Sequence, residues 1–436
     1  MKHNLVAVVL AGGVGNRFWP FSSDKVLFPW FGKPFIEYSI RSVLPKEVTR
    51  IVLVTNSENN QLLSSLTFSV PSTTVIQPRA LGMGDAILSA ASELQNCSLL
   101  ILNGDDLLDR GILEDVVSKG LNDEVFGVIP GHEVNSYLPL GYLITDGKDV
   151  MGIEEKPGAG NEPSRYIATL GHFISDSNSL LDELRHTTSG EDDVYEKALS
   201  MLMKRHRFVL HAYEGDFASL KYPWNVLDVT RVLLSRLGSH RGKNVDIKQN
   251  VIIEGDVFIE DDVRIFEHTK IIGPAYIGKG AIIGNNNIIR QSHIGAGCVT
   301  GFNTDITRSY VGDECWFHSN YVGDSVLEKN ISMGSGAVLA NLRLDDGEIV
   351  SSIKLERIST GRNKAGAMIG RDVRIGVNAS IMPGIKIGSG SFIGSGAVID
   401  KDVPEGTYCM LKSPFVVVRN NRSVASNTRE EFKKHL

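Results

Sequence analysis

The chain has 436 residues, with 51 Asp and Glu against 45 Lys and Arg and a formal net charge of -6. That length is too great for one ordinary core and points to two domains of about 150 to 250 residues, and mild acidity without a block of like charge argues against nucleic acid or a membrane surface as a partner. Cys97, Cys298, Cys315 and Cys409 stand far apart with no CxxC spacing, against a zinc site or disulfide framework, and the apolar run 5–10 is too short for a membrane span and lacks a signal-type cleavage region, so the expectation is a cytoplasmic protein acting on small molecules.

In chain order, residues 5–10, 51–55, 74–77 and 99–103 read as buried strands, with helical periodicity over 34–44, 85–94 and 112–119 between them. Such alternation predicts an α/β domain on a mostly parallel sheet. From about residue 125 the strands crowd together, at 126–130, 142–146 and 166–175, before helices near 192–204 and 225–237, which fits antiparallel additions. This first domain is expected over 1–238. Residues 239–250 are polar and glycine-bearing and read as a linker.

From 251 to 412 the pattern changes. Isoleucine recurs every sixth residue from Ile253 through Ile259, Ile265, Ile271, Ile277 and Ile283 to Ile289, and again from Ile369 through Ile375, Ile381, Ile387 and Ile393 to Ile399. A period of six fits neither a helix nor a plain strand, and it predicts a coiled parallel β-helix with an apolar residue facing inward at each repeat. Between the two runs the register slips, and the polar break before Ile369 suggests a loop reaching across to a site. A strand-like stretch at 415–418 leads into a charged tail, 413–436.

Chemistry concentrates in two places. LAGGVGNR, from Leu10 through Ala11, Gly12 and Gly13 to Arg17, follows the first strand directly, and its glycines let backbone amides approach a triphosphate. It is neither a P-loop nor a dinucleotide fingerprint. Lys25 follows in DKVLFPWFGKP, and Asp105 ends a buried strand in LILNGDD. A cation, a tight phosphate turn and a strand-end carboxylate are what magnesium-assisted attack on an α-phosphate needs. In the disturbed middle of the hexads, His318 can take an amine proton near neutral pH, with Tyr321 in the same HSNYVGDS string, Asn341 in ANLR and Lys364 in TGRNKAGAMIG.

The motifs of the first half resemble the sugar-1-phosphate nucleotidylyltransferases. That resemblance implies a Rossmann-like α/β domain in which Gly12, Gly13, Arg17 and Lys25 hold the triphosphate, Gln77 and Gly82 of QPRALGMGDA meet the base, and Asp105 carries Mg2+. It places Gly141, Glu155, Lys156 and Thr169 on the sugar phosphate. Two departures stand out: Met83 follows the base-binding glycine, and Ser219 occupies the position of a second metal-binding aspartate, with Asp216, Asn225 or Asp228 as substitutes. The second half resembles the acetyltransferase domain of the bifunctional enzymes that make UDP-N-acetylglucosamine, in particular the archaeal type. This implies a left-handed parallel β-helix of hexapeptide repeats, a His318 general base, and Tyr321, Asn341 and Lys364 on the amino sugar phosphate, with Arg308 a further phosphate contact. Ala379, Ser395 and Ala397 would flank acetyl-CoA through backbone groups, while Leu342 replaces a tyrosine of the bacterial branch. The resemblance further implies a homotrimer with acetyl sites between subunits, using acetyl-CoA, a sugar-1-phosphate and a nucleoside triphosphate, UTP before the others. Two other readings stay open: a hexose-1-phosphate guanylyl- or thymidylyltransferase on a structural β-helix, and a non-catalytic regulatory homologue that lost its metal site.

Overall fold

The apolar runs of the first half assemble into one sheet of ten strands. The structure, a computed structural model, describes residues 4–13, 15–135, 137–138, 140–354, 356–412, 418–420 and 433. Leu5–Leu10, fully buried along its length, lies between Val48–Thr55 and Ser98–Asn103, parallel to both. Ser72–Ile76 extends the parallel part beyond Val48–Thr55. Because the chain leaves the first strand toward neighbours on both sides, the carboxyl ends of these strands open a crevice, the place where an open α/β sheet takes a ligand. The far half is mixed: Gly127–Glu133 runs parallel to Phe208–Tyr213, while Gly141–Asp146 and Asp149–Glu155 form an antiparallel pair.

Several elements depart from the sequence expectation. Residues 34–44 make only one wide turn, Glu37–Arg41, in which Ser39 Oγ bonds the Gly104 carbonyl at 2.8 Å. Residues 166–175 are two strands, Tyr166–Ala168 and His172–Ile174, separated at Gly171 with φ 124°. Helix Ser177–His186, capped by the Asp176 side chain and burying Leu180, Leu181 and Leu184 on one face, and strands Asp149–Glu155 and Phe208–Tyr213 were not expected.

The second half is a parallel β-helix with three faces of eight, nine and eight strands. Its coil begins earlier than residue 251. His240–Arg241 pairs with Phe258–Ile259 and Asp246–Ile247 with Arg264–Ile265, so most of the stretch read as a linker is the first coil, polar because its end is open to water. The slip of register after Ile289 is a shortening at the corners. One face steps 18 residues from Ile259 to Ile277, 17 from Ile277 to Ile294 and 16 from Val311 to Leu327. Ile294, Ile306, Phe317, Val322, Met333 and Leu339 fill the inward column where the six-residue spacing lapses, all buried. Each such side chain contributes about 1.5 to 3 kcal/mol of burial, so the stack tolerates lost corner residues while an inward apolar side chain is kept. Cys298 and Cys315 are buried, unpaired members of this column.

Between Leu327 and Ile369, 42 residues apart, the chain leaves the solenoid and returns to the same ladder. This excursion carries an antiparallel hairpin, Val350–Ile353 with Glu356–Ser359. Its return brings Lys364 beside Leu342, while the hairpin itself turns toward the first domain. Ile349 and Ile353 pack with Trp224 and Val229 of the first domain, and Arg362 pairs with Asp228, because the hairpin's apolar residues have a partner only in that direction.

The same apolar cluster joins the two halves. His240, Phe258, Tyr276, His293 and Tyr310 stack in successive coils on one outer face. Against this ladder lie Phe28, Trp30 and Phe31, with the Tyr310 hydroxyl donating to the Pro29 carbonyl (2.6 Å) and the Phe31 N–H to His293 Nε2 (3.3 Å). The strand-like 415–418 falls largely outside the described residues, as does most of the tail. Among the described residues no helix is long and apolar enough to cross a membrane.

Candidate functional site

At the crevice of the first domain, the Leu10 end of the central strand faces Asn103, and the chain then turns at Asp105 and Asp106. Lys25, at the head of a short turn capped by Asp24, forms an ion pair with Asp105. Burial pulls the Lys25 pKa down, but the carboxylates of Asp105, Asp106 and Asp24 outweigh it and hold the ammonium protonated. Asp106 is fully buried, and burial together with the charge of Asp105 pushes its carboxyl up to about 7. Two adjacent carboxylates therefore face one ammonium, with the direct ion pair made by Asp105.

Ser219 lies directly opposite Asp106 in a two-stranded pairing, so the residue in place of a second carboxylate does stand beside the acidic pair. The substitutes considered are engaged elsewhere: Asp216 lies near Arg231, Asn225 Nδ2 bonds Asp228, and Asp228 holds Arg362. No group of three or more metal-binding side chains forms among the described residues. The donor set fits Mg2+ held by Asp105 with most of its shell left to phosphates and water, the usual arrangement for that ion.

Gln77, Gly12 and Gly82 come together as expected. A methyl on Gly12 would lie 2.8 Å from Gln77 Oε1, and Gln77 Nε2 donates to the Gly82 carbonyl (3.2 Å) and to Asp85 (2.7 Å). Gly82 opens helix Gly82–Ser89 at φ 90°, and the Asp192 carboxylate sits where a side chain there would be; only glycine fits both constraints. Gly13 and Arg17 are exposed on the loop.

The sugar-side residues divide. Gly141 pairs with Glu155 across the antiparallel ladder, and burial raises the Glu155 pKa. Lys156 follows in a left-handed conformation, φ 46°. Lys221 was not singled out by sequence; burial lowers its pKa, and the charges of Arg17, Lys156 and Lys25 lower it further. Thr169 is different. It is 2% exposed, its hydroxyl accepts from Tyr213 (3.1 Å) and donates to the Pro130 carbonyl (3.3 Å), and its side chain is committed to the interior. A cavity of about 470 Å³ adjoins the loops, lined by Gly15, Ser23, Lys25, Asn56 and Asn59 and, from the β-helix, Arg371.

On the β-helix the organising group is Asp324, which sequence reasoning passed over inside HSNYVGDS. Its buried carboxylate accepts two bonds from Arg308 (2.7 Å each) and one from Asn341 Nδ2 (2.5 Å). Arg308 is thus held as a positioned cation, its pKa raised by Asp324 despite partial burial. Gly323 leaves room for this cluster, since a methyl there would lie 2.5 Å from Asn341 Nδ2 and 2.7 Å from the Tyr321 hydroxyl. Lys364 returns from the excursion by bridging to Leu342, next to Asn341.

His318 is exposed at the opposite end of this face, on the corner before Tyr321–Gly323, with its N–H bonded to Asn320 Oδ1 (2.8 Å). A three-residue strand spans roughly 10 Å, so one protomer holds the imidazole and the Asp324 cluster apart along the face. Of the expected acetyl-CoA contacts, Ala379 and Ala397 point into the core, and their carbonyls already accept ladder bonds from Val338 (2.9 Å) and Ser380 (2.8 Å). Ser395 is exposed.

Comparison with known proteins covers both halves. A family described as nucleotidyl transferase matches residues 6–218, and one described as bacterial transferase hexapeptide (six repeats) matches 366–401. A Methanococcus vannielii protein named bifunctional protein GlmU is 30% identical over 436 residues, covering 95% of this chain and 100% of its own. A Sulfurisphaera tokodaii protein named bifunctional sugar-1-phosphate nucleotidylyltransferase/acetyltransferase is 33% identical over 410 residues, covering 92% and 99%. Among solved structures, a UDP-glucose pyrophosphorylase from Acinetobacter baumanii aligns with a TM-score of 0.47 at 22% identity, over 54% of this chain and 95% of that chain.

Proposed function

The chain belongs to the bifunctional sugar-1-phosphate nucleotidylyltransferase/acetyltransferase family, and from that premise we propose that it makes UDP-N-acetylglucosamine in two steps. Acetyl-CoA first acetylates the amine of glucosamine-1-phosphate or a close amino sugar phosphate. UTP then gives its uridylyl group to the product and releases pyrophosphate. The observation that carries this reading is the Arg308–Asp324–Asn341 cluster with Lys364 folded back beside it. A solenoid serving only as a platform has no use for a buried carboxylate that orients a cation and an amide toward one corner.

In the acetyl step His318 takes the amine proton as the nitrogen attacks the thioester carbonyl, and the thiolate of coenzyme A leaves. Arg308, Asn341, Lys364 and Tyr321 hold the sugar phosphate, and Ser395 borders the coenzyme. Because His318 and that cluster lie at opposite ends of one face, a homotrimer with sites between neighbouring β-helices completes the arrangement. Trp316, 51% exposed and two residues from His318, supplies apolar surface that such packing would cover.

In the nucleotidylyl step the sugar phosphate oxygen attacks the α-phosphate in line, and the work is mostly positioning and charge. Gln77 and Gly82 receive the base, Leu10 to Gly13 the phosphates, and Arg17 and Lys25 the charge of the departing pyrophosphate. Glu155, Lys156 and Lys221 face the sugar phosphate, with the Gly141 backbone beside them. Magnesium held by Asp105 would supply the remaining charge neutralisation.

The test pairs two assays on one preparation: thiol release from acetyl-CoA with glucosamine-1-phosphate, and pyrophosphate release across four nucleoside triphosphates with N-acetylglucosamine-1-phosphate. Both signals are expected, the second strongest with UTP. Absence of thiol release across amino sugar phosphates would remove the acetyl step, and a preference for GTP or dTTP would replace the uridylyl assignment.

A further inference from the structure

The two cations of the phosphate loop, Arg17 and Lys25, are separated by a segment that the β-helix holds. Residues 18–23 lie between the two domains, with Phe18 and Phe21 against Phe28 on one side. Phe18 and Phe21 pack into the cluster that contains Tyr310, Val326 and Met368 of the β-helix. Trp19 has the Lys386 ammonium 5.6 Å from its ring centre, and the Pro20 carbonyl accepts from Ser389 Oγ at 3.4 Å.

The firmest hold is on Ser22 and Ser23. Glu328, on the corner after Val326–Leu327, is 3% exposed, and its carboxylate accepts the backbone N–H of Ser22 (3.2 Å) and of Ser23 (3.0 Å). It also accepts both serine hydroxyls, the nearer at 2.8 Å, and the Arg371 N–H and guanidinium, each at 3.0 Å. Arg371 Nη2 donates in turn to Ser23 Oγ (2.9 Å). A carboxylate buried without such donors costs several kcal/mol, so this one is stable only with the loop in place. The next residue continues the chain of contacts. Asp24 accepts from Val26 N–H (3.0 Å) and Asn59 Nδ2 (2.8 Å), and Asn59 also bonds the Ala11 carbonyl (2.8 Å), tying the Lys25 turn to the start of the glycine loop.

We propose that Glu328 of the β-helix is a positioning residue for nucleotidyl transfer, setting through Ser22 and Ser23 the spacing of Arg17 and Lys25 around the triphosphate. The proposal rests on the nucleotidylyl reading above. Ordering a free loop costs conformational entropy, and here the β-helix has removed that freedom before substrate arrives. The polar clamp on Ser22 and Ser23 is distinct from the apolar seam, although Phe18 and Phe21 touch Phe28 of that seam. The aromatic ladder grips residues 28–31, beyond Lys25, and the hairpin grips the helix Asn225–Ser235; neither touches 22–23.

The test uses the full-length protein as Glu328→Gln, Glu328→Asp and Arg371→Gln, with Tyr310→Phe as a variant that keeps the ring packing and removes only a seam hydrogen bond, to the Pro29 carbonyl, which does not reach Ser22 or Ser23. Calorimetric binding of UTP without sugar phosphate is measured beside pyrophosphate release and thiol release. Glu328→Gln is expected to weaken UTP binding at least tenfold, with Glu328→Asp and Arg371→Gln intermediate. Tyr310→Phe should bind UTP as the wild type does, and all four should keep thiol release within twofold. Unchanged UTP affinity in Glu328→Gln and Arg371→Gln overturns the proposal, as does an equal loss in Tyr310→Phe, which would mark Glu328 as seam packing. If the wild type neither binds UTP nor releases pyrophosphate, the nucleotidylyl reading falls and the proposal with it. Should Glu328→Gln not fold, Arg371→Gln decides.

Discussion

At the scale of single residues, the informative side chains are those whose burial fixes their charge. His293 lies between the Phe31 N–H and the Val311 carbonyl, and burial pushes its pKa down to about 4. An unfolded histidine titrates near 6.5, so from pH 6.5 toward 4 the unfolded chain binds a proton that the folded chain refuses, and stability falls as pH falls, by about 2 kcal/mol at pH 5. The melting temperature is expected to drop between pH 7 and pH 5, and His293→Gln to remove part of that drop. His172, pushed down to about 3, keeps the remainder. Parallel pH curves for wild type and variant would contradict the assignment. The sequence made Arg17, Lys25, Asp105 and His318 legible because each sits in a contiguous motif. Asp324 was not legible as the partner of Arg308, 16 residues away, since that spacing means contact only once a coil is known to have shortened. Lys221 escaped because its neighbours Arg17 and Lys156 come from distant loops. Thr169 shows the converse: a motif position whose side chain folding turns inward.

At the scale of elements, sequence pattern was reliable where the apolar signal is continuous or strictly repeated, and it missed the amphipathic helix Ser177–His186. The strands Leu5–Leu10 and Ser98–Asn103 and both isoleucine runs follow from it. It fell short where other inward residues replace isoleucine and where Val350–Ile353 and Glu356–Ser359 leave the solenoid, because a two-stranded excursion buries its apolar side chains on a domain distant in sequence. Ile353→Ala should lower stability by about 2 to 4 kcal/mol in denaturant unfolding, the usual cost of emptying such a site. A change below about 0.5 kcal/mol would show that the hairpin does not brace the two halves. Thiol release should persist in this variant, since the hairpin packs away from His318.

At the scale of the whole molecule, the two halves share an apolar seam from the aromatic ladder to the hairpin, so the nucleotidylyl crevice and the acetyl corner are parts of one body. That join was not legible: residues 28–31 lie within a family motif, and their partners Tyr276, His293 and Tyr310 come from coils distant in sequence. The most direct test of the central claim is a product analysis by mass spectrometry after incubation with glucosamine-1-phosphate, acetyl-CoA, UTP and Mg2+. Wild type should form UDP-N-acetylglucosamine; His318→Ala should form none from the amino sugar, yet form it when N-acetylglucosamine-1-phosphate is supplied; and Asp105→Asn should stop at the acetylated sugar phosphate. Formation of the nucleotide sugar from glucosamine-1-phosphate by His318→Ala at the wild-type rate, or no nucleotide sugar from the wild type with either substrate, would contradict the account.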